Sequence, residues 1–236
     1  MRSTWYFGPD KPTGGKQVLW VVFGLIVAMF YFTRRVLVSL RIGGWATNLD
    51  QTVYQWVLAH QDPFWLMVAE VLYWWGSTPG MIVTMLIIGS LLCWLARSFW
   101  PLLTIAATAA GSVTLTIVLK ASLQVPRPAG VPGGPAPPTS YSFPSGHTLN
   151  AAALMGIAAY LAVIYGLRRY AYLIGGLATL FVVGMGASRI YIGHHWLSDV
   201  VVGFLIGAAW AAVIAILHYF FAPRPLVEDG INPGHK

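Results

Sequence analysis

Between two long apolar runs stands the stretch Ser188-Arg189-Ile190-Tyr191-Ile192-Gly193-His194-His195-Trp196-Leu197-Ser198-Asp199. Only 9% of the 236 residues are charged, yet an arginine, two histidines and an aspartate gather here. Ionisable groups in or beside a bilayer are costly and default to a functional reading. His195 and Asp199 are four residues apart, so where a helix opens at this point they share a face and the carboxylate accepts a hydrogen bond from the imidazole. A histidine held that way is an oriented nucleophile or base. Arg189, on the preceding segment, is the kind of forked donor that grips a phosphate. The plain alternative is a polar inter-helix loop whose long side chains snorkel.

The apolar runs on either side set the class. The chain is 57% hydrophobic, with a mean hydropathy of +0.68 and 11 tryptophans, the composition of an all-α, polytopic membrane protein. Runs long enough to span occur at about 17–33, 71–96, 98–119, 148–167, 170–188 and 200–223, against the ~20 residues a crossing helix needs. Six transmembrane helices in one membrane domain over 17–223 are therefore expected, between an N-terminal tail (1–16) and a C-terminal tail (224–236). The first run has no small-residue cleavage site after it and is expected to stay as an anchor. Arg34, Arg35 and Arg41 mark an interface after it. Residues 47–62 then place Leu49, Val53, Trp56 and Val57 at helical spacing, which predicts a short amphipathic helix at the membrane surface. Asp50, His60 and Glu70 nearby read as capping or interfacial groups.

In the second run, Gly76-Ser77-Thr78-Pro79-Gly80 puts the start of the true span near Pro79 and leaves Tyr73, Trp74 and Trp75 to the interfacial belt. Gly203, Gly207, Ala211 and Ala215 form a small-residue stripe on the last span, suited to close packing within the chain. His218, at the far end of that span, reads as interfacial. Residues 129–140, rich in proline and glycine, predict a loop at a membrane face. Cys93 is the only cysteine, so an intramolecular disulfide and a cysteine-based metal site are excluded. A net charge of +7 raises nucleic acid as a partner, but the basic residues are scattered at helix ends with no dense patch, which points to the lipid bilayer instead.

Two further polar clusters join the first on one face. Lys120 closes the third span, and Arg127 follows between Pro126 and Pro128, which bias it to an extended conformation. Pro144-Ser145-Gly146-His147 opens the fourth span, where helix N-terminal amides and the positive dipole end stand beside a hydroxyl and an imidazole. The fourth and fifth spans cross over and back, so Arg189 and His195 return to the same side. Fixed cations, a hydroxyl and helix N-terminal amides are what phosphoryl transfer asks of a protein. His195 would attack phosphorus, Asp199 would fix its tautomer, and His147 would protonate the departing oxygen and later activate water. No carboxylate cluster for magnesium is present, so no metal or other cofactor is expected. A zinc site built from His147, His194 and His195 lacks the usual ligand spacing. His194 reads as a supporting or interfacial neighbour of the nucleophile.

These residues resemble the type 2 phosphatidic acid phosphatase superfamily, which also holds glucose-6-phosphatase and the vanadium haloperoxidases. Its signature is Lys-x6-Arg-Pro, Pro-Ser-Gly-His and Ser-Arg-x5-His-x3-Asp, standing here at 120–128, 144–147 and 188–199. The resemblance implies His195 as nucleophile, Asp199 as its orienter, His147 as general acid, and Lys120, Arg127, Ser145, Gly146 and Arg189 as phosphate ligands. It also selects His195 over His194. The implied activity is a metal-independent membrane lipid phosphatase acting on a phosphatidate, phosphatidylglycerophosphate or polyprenyl diphosphate. A phosphotransferase, a non-catalytic transporter or scaffold, and a haloperoxidase are the alternatives. The positive-inside rule, with Arg97, Arg168, Arg169 and Arg224 among the inner basic residues, places the site on the outer face of a bacterial plasma membrane, although Arg34, Arg35 and Arg41 argue the other way.

Overall fold

The structure, a computed structural model, describes residues 5–6, 15–222 and 224–225. Most of the expected tails, 1–16 and 224–236, lies outside the described residues, although Trp5–Tyr6 and Arg224–Pro225 pair antiparallel. The helices are α1 (Gly15–Arg41), α2 (Trp45–Ala59), α3 (Pro63–Trp75), α4 (Thr78–Ala96), α5 (Trp100–Leu123), α6 (Gly146–Ala162), α7 (Ala171–Tyr191) and α8 (Leu197–Phe221), with a long irregular loop over 124–145. Among the described residues, five apolar helical stretches are long enough to cross a membrane. One of them, Gly146–Tyr191, holds 46 residues and contains both α6 and α7. As a straight helix it would measure about 70 Å, more than twice the hydrocarbon thickness of a bilayer. It reverses instead at 163–170, where Gly166 takes φ +125°, and α6 packs against α7.

The helical ends depart from expectation in two places. The first span does not stop at residue 33; α1 continues to Arg41, so Arg34 and Arg35 lie within the helix with exposed side chains. Residues 63–75 form α3 rather than a lead-in to α4. Asp62 caps it by accepting from the N–H groups of Phe64 and Trp65, with Pro63 in the first turn. That is the usual order of cap and proline at a helix start. The surface helix expected at 47–62 is present as α2, and α4 begins beside Pro79 as expected.

The centre of the bundle is α6, packed against α5, α7 and α8. The small-residue stripe of α8 makes this approach possible. A Cβ on Gly203 would sit 2.9 Å from the Ser145 carbonyl oxygen, and one on Gly207 only 2.2 Å from that of Leu149. Without a hydrophobic drive between helices in lipid, such backbone proximity is the main source of association. The lower core joins Met85, Leu92, Ile157, Leu161 and Ile214. His218 is not interfacial but buried there, within reach of the hydroxyls of Tyr165 (3.1 Å) and Tyr160 (3.4 Å). The opposite end of the bundle carries the polar residues.

Candidate active site

The site is assembled where α5 ends, where α6 and α8 begin, and where α7 ends. Asp199 lies in the first turn of α8 and is wholly buried. Its Oδ2 accepts from the Trp196 backbone N–H (2.9 Å) and meets His195 Nδ1 at 3.1 Å, while Ser142 Oγ lies 3.4 Å from Oδ1. A guanidinium only donates, and Arg127 meets the ring at Nε2, so Nε2 presents a lone pair and Nδ1 of His195 carries the proton shared with Asp199. Arg127 donates to that Nε2 through Nη1 at 3.0 Å. Burial, reinforced by the positive charges of Arg127, Arg189 and Lys120, holds the His195 imidazole well below its usual range, so the ring stays neutral.

The cations are held by backbone carbonyls. Arg127 donates from Nε to Ser140 O (2.6 Å), from Nη1 to His194 O (2.6 Å), and from Nη2 to Tyr141 O and Ser140 Oγ (both 3.1 Å). Lys120 Nζ donates to the carbonyls of Tyr141 and Ser142. Arg189 is fully buried, donates through Nη2 to His194 Nδ1 at 2.7 Å, and has Nε and Nη1 without partners. A buried guanidinium with idle donors is expensive unless an anion completes it. Nε2 of His147, at the start of α6, is likewise buried and unpartnered. Ser145, the N-cap of α6, makes no side-chain cap bond, and its hydroxyl accepts from Thr148 Oγ1 at 3.0 Å. The close fit at Gly146 brings α6 onto α5: a Cβ there would meet Thr116 at 2.9 Å and the Lys120 stem at 4.0 Å.

His194 is not interfacial. It is buried, accepts from Arg189 at Nδ1 and donates from Nε2 to Pro135 O at 2.8 Å. That pins the 129–140 loop over the site, as does the Tyr54 hydroxyl donating to Gly130 O at 2.7 Å. Gly193, at φ +65°, passes so close to the loop that a Cβ would lie 2.7 Å from the Gly130 carbonyl carbon. All eight residues singled out from the sequence thus stand around one end of the bundle. Sequence reading missed two contributors, Ser142 and Tyr73. Asp50 of α2 reads as a capping or interfacial group in the sequence, and the structure names its target: its carboxylate accepts from Ser198 N–H (2.8 Å) and Oγ (2.6 Å) at the start of α8. Ser142 carries no periodic signal. Tyr73 read only as an interfacial aromatic, and nothing in its spacing places it beside Arg189.

An all-helical membrane protein with a buried, cation-lined polar site at one end is a recognisable class, and comparison with known proteins places it further. Residues 99–223 match the PAP2 superfamily, so the chain belongs to that family. It is similar to phosphatidylglycerophosphatase B of Bacillus subtilis, 38% identical over 74 residues, covering 29% of this chain and 35% of that protein. It is also similar to an undecaprenyl-diphosphatase of Sulfolobus acidocaldarius, 30% identical over 92 residues, covering 39% of this chain and 40% of that one. The aligned part is thus about a third to two-fifths of the length of these curated relatives. The fold matches the crystal structure of a transmembrane PAP2 type phosphatidylglycerolphosphate phosphatase from Bacillus subtilis, with a TM-score of 0.73 and 23% identity over 83% of this chain and 96% of that one.

Proposed function

We propose that the protein is a metal-independent lipid phosphatase that works through a phosphohistidine at His195. The observation that carries the reading is the pairing of a neutral, oriented His195 with the idle donors of buried Arg189. On substrate binding, phosphate oxygens take the donors of Arg189, Arg127 and Lys120, freeing His195 Nε2 from Arg127. The Nε2 lone pair attacks phosphorus, and the bond from phosphorus to the lipid-side oxygen breaks. His147 takes up a proton as the anionic substrate binds beside Arg189 and Arg127, and gives it to that oxygen. Water then attacks the phosphohistidine, His147 takes the proton, and inorganic phosphate leaves. Asp199 balances the charge that develops on the imidazole.

The substrate class is a phosphomonoester or diphosphate of a membrane lipid: phosphatidylglycerophosphate, phosphatidate or a polyprenyl diphosphate. The two curated relatives bear names from the first and third of these groups. The test is phosphate release by the purified chain from a panel of the three lipids, beside the His195→Ala variant. Release by wild type and none by the variant is expected; equal release by both would refute the role of His195. Turnover should survive a chelator, and recovery of a chelated protein on adding magnesium or zinc would contradict metal independence.

The membrane arrangement belongs to the same reading: six crossings, with α6 and α7 as separate spans and the site facing outward from a bacterial plasma membrane. The paired Trp5–Tyr6 and Arg224–Pro225 support an even number, since they put both ends of the domain together, and Lys16, Arg97, Arg168, Arg169 and Arg224 fall at the end opposite the site. Thr139, exposed on the 129–140 loop, is a suitable position for a reporter thiol. With Cys93 replaced, Thr139→Cys should react with an impermeant thiol reagent in intact spheroplasts; labelling only after lysis would put the site inside.

A further inference from the structure

We propose that Tyr73, on α3 and outside the family signature, is a positioning residue whose ring sets the Arg189 guanidinium and the His147 imidazole together, aligning phosphate binding with protonation of the leaving group. The inference rests on the lipid phosphatase reading.

Three site side chains converge on this ring. The Arg189 guanidinium carbon lies 4.4 Å from the ring centroid. His147 stacks at 5.6 Å with an interplanar angle of 26°, and His194 meets the ring edge-on at 5.5 Å. Arg189 is therefore held by Tyr73 across its face and by His194 through Nη2, which leaves Nε and Nη1 as its idle donors. A desolvated cation over an aromatic face is held far more firmly than an exposed one. The contact thus fixes the direction of those donors.

The ring in turn is fixed by its helix. At the start of α3, the Asp62 N–H donates to the Tyr191 hydroxyl at 2.9 Å, and that hydroxyl donates to His60 O at 3.2 Å. At the end of α3, a Cβ on Gly76 would lie 2.3 Å from the Met185 sulfur and 3.1 Å from His147 Cδ2. Both ends of α3 are pressed on α7, which also carries Arg189, so the ring and the guanidinium share one support. The ring face makes these contacts, so phenylalanine should replace tyrosine.

The experiment compares wild type, Tyr73→Phe, Tyr73→Leu and Tyr73→Met, each full-length in detergent. Two substrates are used: phosphatidate, whose alkoxide needs a proton, and p-nitrophenyl phosphate, whose phenolate departs without one. Tyr73→Phe should stay within about threefold of wild type on both. Tyr73→Leu should lose about tenfold or more in kcat on phosphatidate, lose at least threefold less on the aryl ester, and bind vanadate about fivefold or more weakly. General structural damage would lower both rates together, and Tyr73→Met serves if the leucine variant does not fold. Equal losses on the two substrates with unchanged vanadate inhibition, or a phenylalanine variant as impaired as leucine, overturns the assignment of Tyr73 alone. A wild-type chain that releases phosphate from neither substrate overturns the phosphatase reading, and this inference with it.

Discussion

Replacing Asp199 with Asn isolates what its charge does, because the surroundings fix the orientation of the new amide. The Oδ2 position accepts from both the Trp196 N–H (2.9 Å) and His195 Nδ1 (3.1 Å). An amide NH2 there would face two donors, so the amide oxygen must take the position and Nδ1 of His195 keeps its proton. The tautomer survives and the charge alone is lost. Opposite charges about 4 Å apart at an effective dielectric near 20 attract by about 4 kcal/mol. The amide dipole recovers part of that for the charged, phosphorylated imidazole, leaving a loss of about 2–4 kcal/mol, or roughly 30- to 1,000-fold in kcat. Asp199→Ala removes the charge and the orientation, and strands the Trp196 N–H, which adds about 1–3 kcal/mol of lost stability. Its kcat should fall at least about tenfold below that of the Asn variant. Phosphate release at saturating lipid measures both rates, and phosphoprotein trapped by an alkaline denaturing quench, base-stable and acid-labile, reports the first step. If the two variants are equally impaired, the Trp196 N–H does not hold the tautomer and the reasoning fails.

Asp50→Ala leaves the Ser198 N–H and hydroxyl without their buried acceptor, at a cost of about 2–3 kcal/mol. A drop in melting temperature of about 5–10 °C in detergent, with a fall in kcat as Asp199 loosens, is the expected result, and an unchanged melting temperature contradicts it. His195 must be neutral to attack, and its pKa is lowered by burial first and neighbouring cations second. Its protonation should therefore begin only below the ordinary imidazole value of about 6.5. An NMR titration assigned with His195→Gln checks this, and a midpoint at or above that value is the contrary outcome.

Much of this was open to reading in the sequence because membrane composition makes polar residues scarce and each one informative. Lys120, Arg127, His147, Arg189, His195 and Asp199 stand out against apolar runs, and the alternation of crossings puts them on one side without coordinates. Helix α3 was hidden for the same reason. Phe64, Trp65, Leu66, Met67 and Val68 fall between the helix expected at 47–62 and the run at 71–96 and carry no expected element, because apolar content alone does not separate a short surface helix from a crossing one. The Asp62-Pro63 pair was the available signal, a cap followed by proline at the first helical position. Tyr73 was illegible in a stronger sense. Its contacts with Arg189 and His147 join residues more than 70 positions away, and an aromatic near an interface has a sufficient explanation already. His218 misled in the opposite way: its place near a span end suggested the interface, while two tyrosine hydroxyls draw it into the core.

The position of the anion within the site follows from a difference between two helix starts. α6 and α8 both open on this end of the bundle, and each presents first-turn N–H groups with no intrahelical acceptor. At α8 the chain supplies its own negative charge: Asp199 accepts from the Trp196 N–H, and Asp50 reaches across from α2 to accept from Ser198. At α6 the N-cap is Ser145, whose hydroxyl makes no cap bond and is engaged by Thr148 instead. No carboxylate among the described residues closes that end, and the Lys120 stem approaches Gly146. Asp199 holds His195 in its tautomer and Asp50 closes the helix start, whereas the dipole of α6 is left for charge brought in from outside. An anion placed at α8 would meet Asp199 and Asp50 at close range. One placed at α6 would meet no hydrogen-bonded carboxylate among the described residues, which supports the proposal that the phosphate binds at the start of α6 and His195 attacks it.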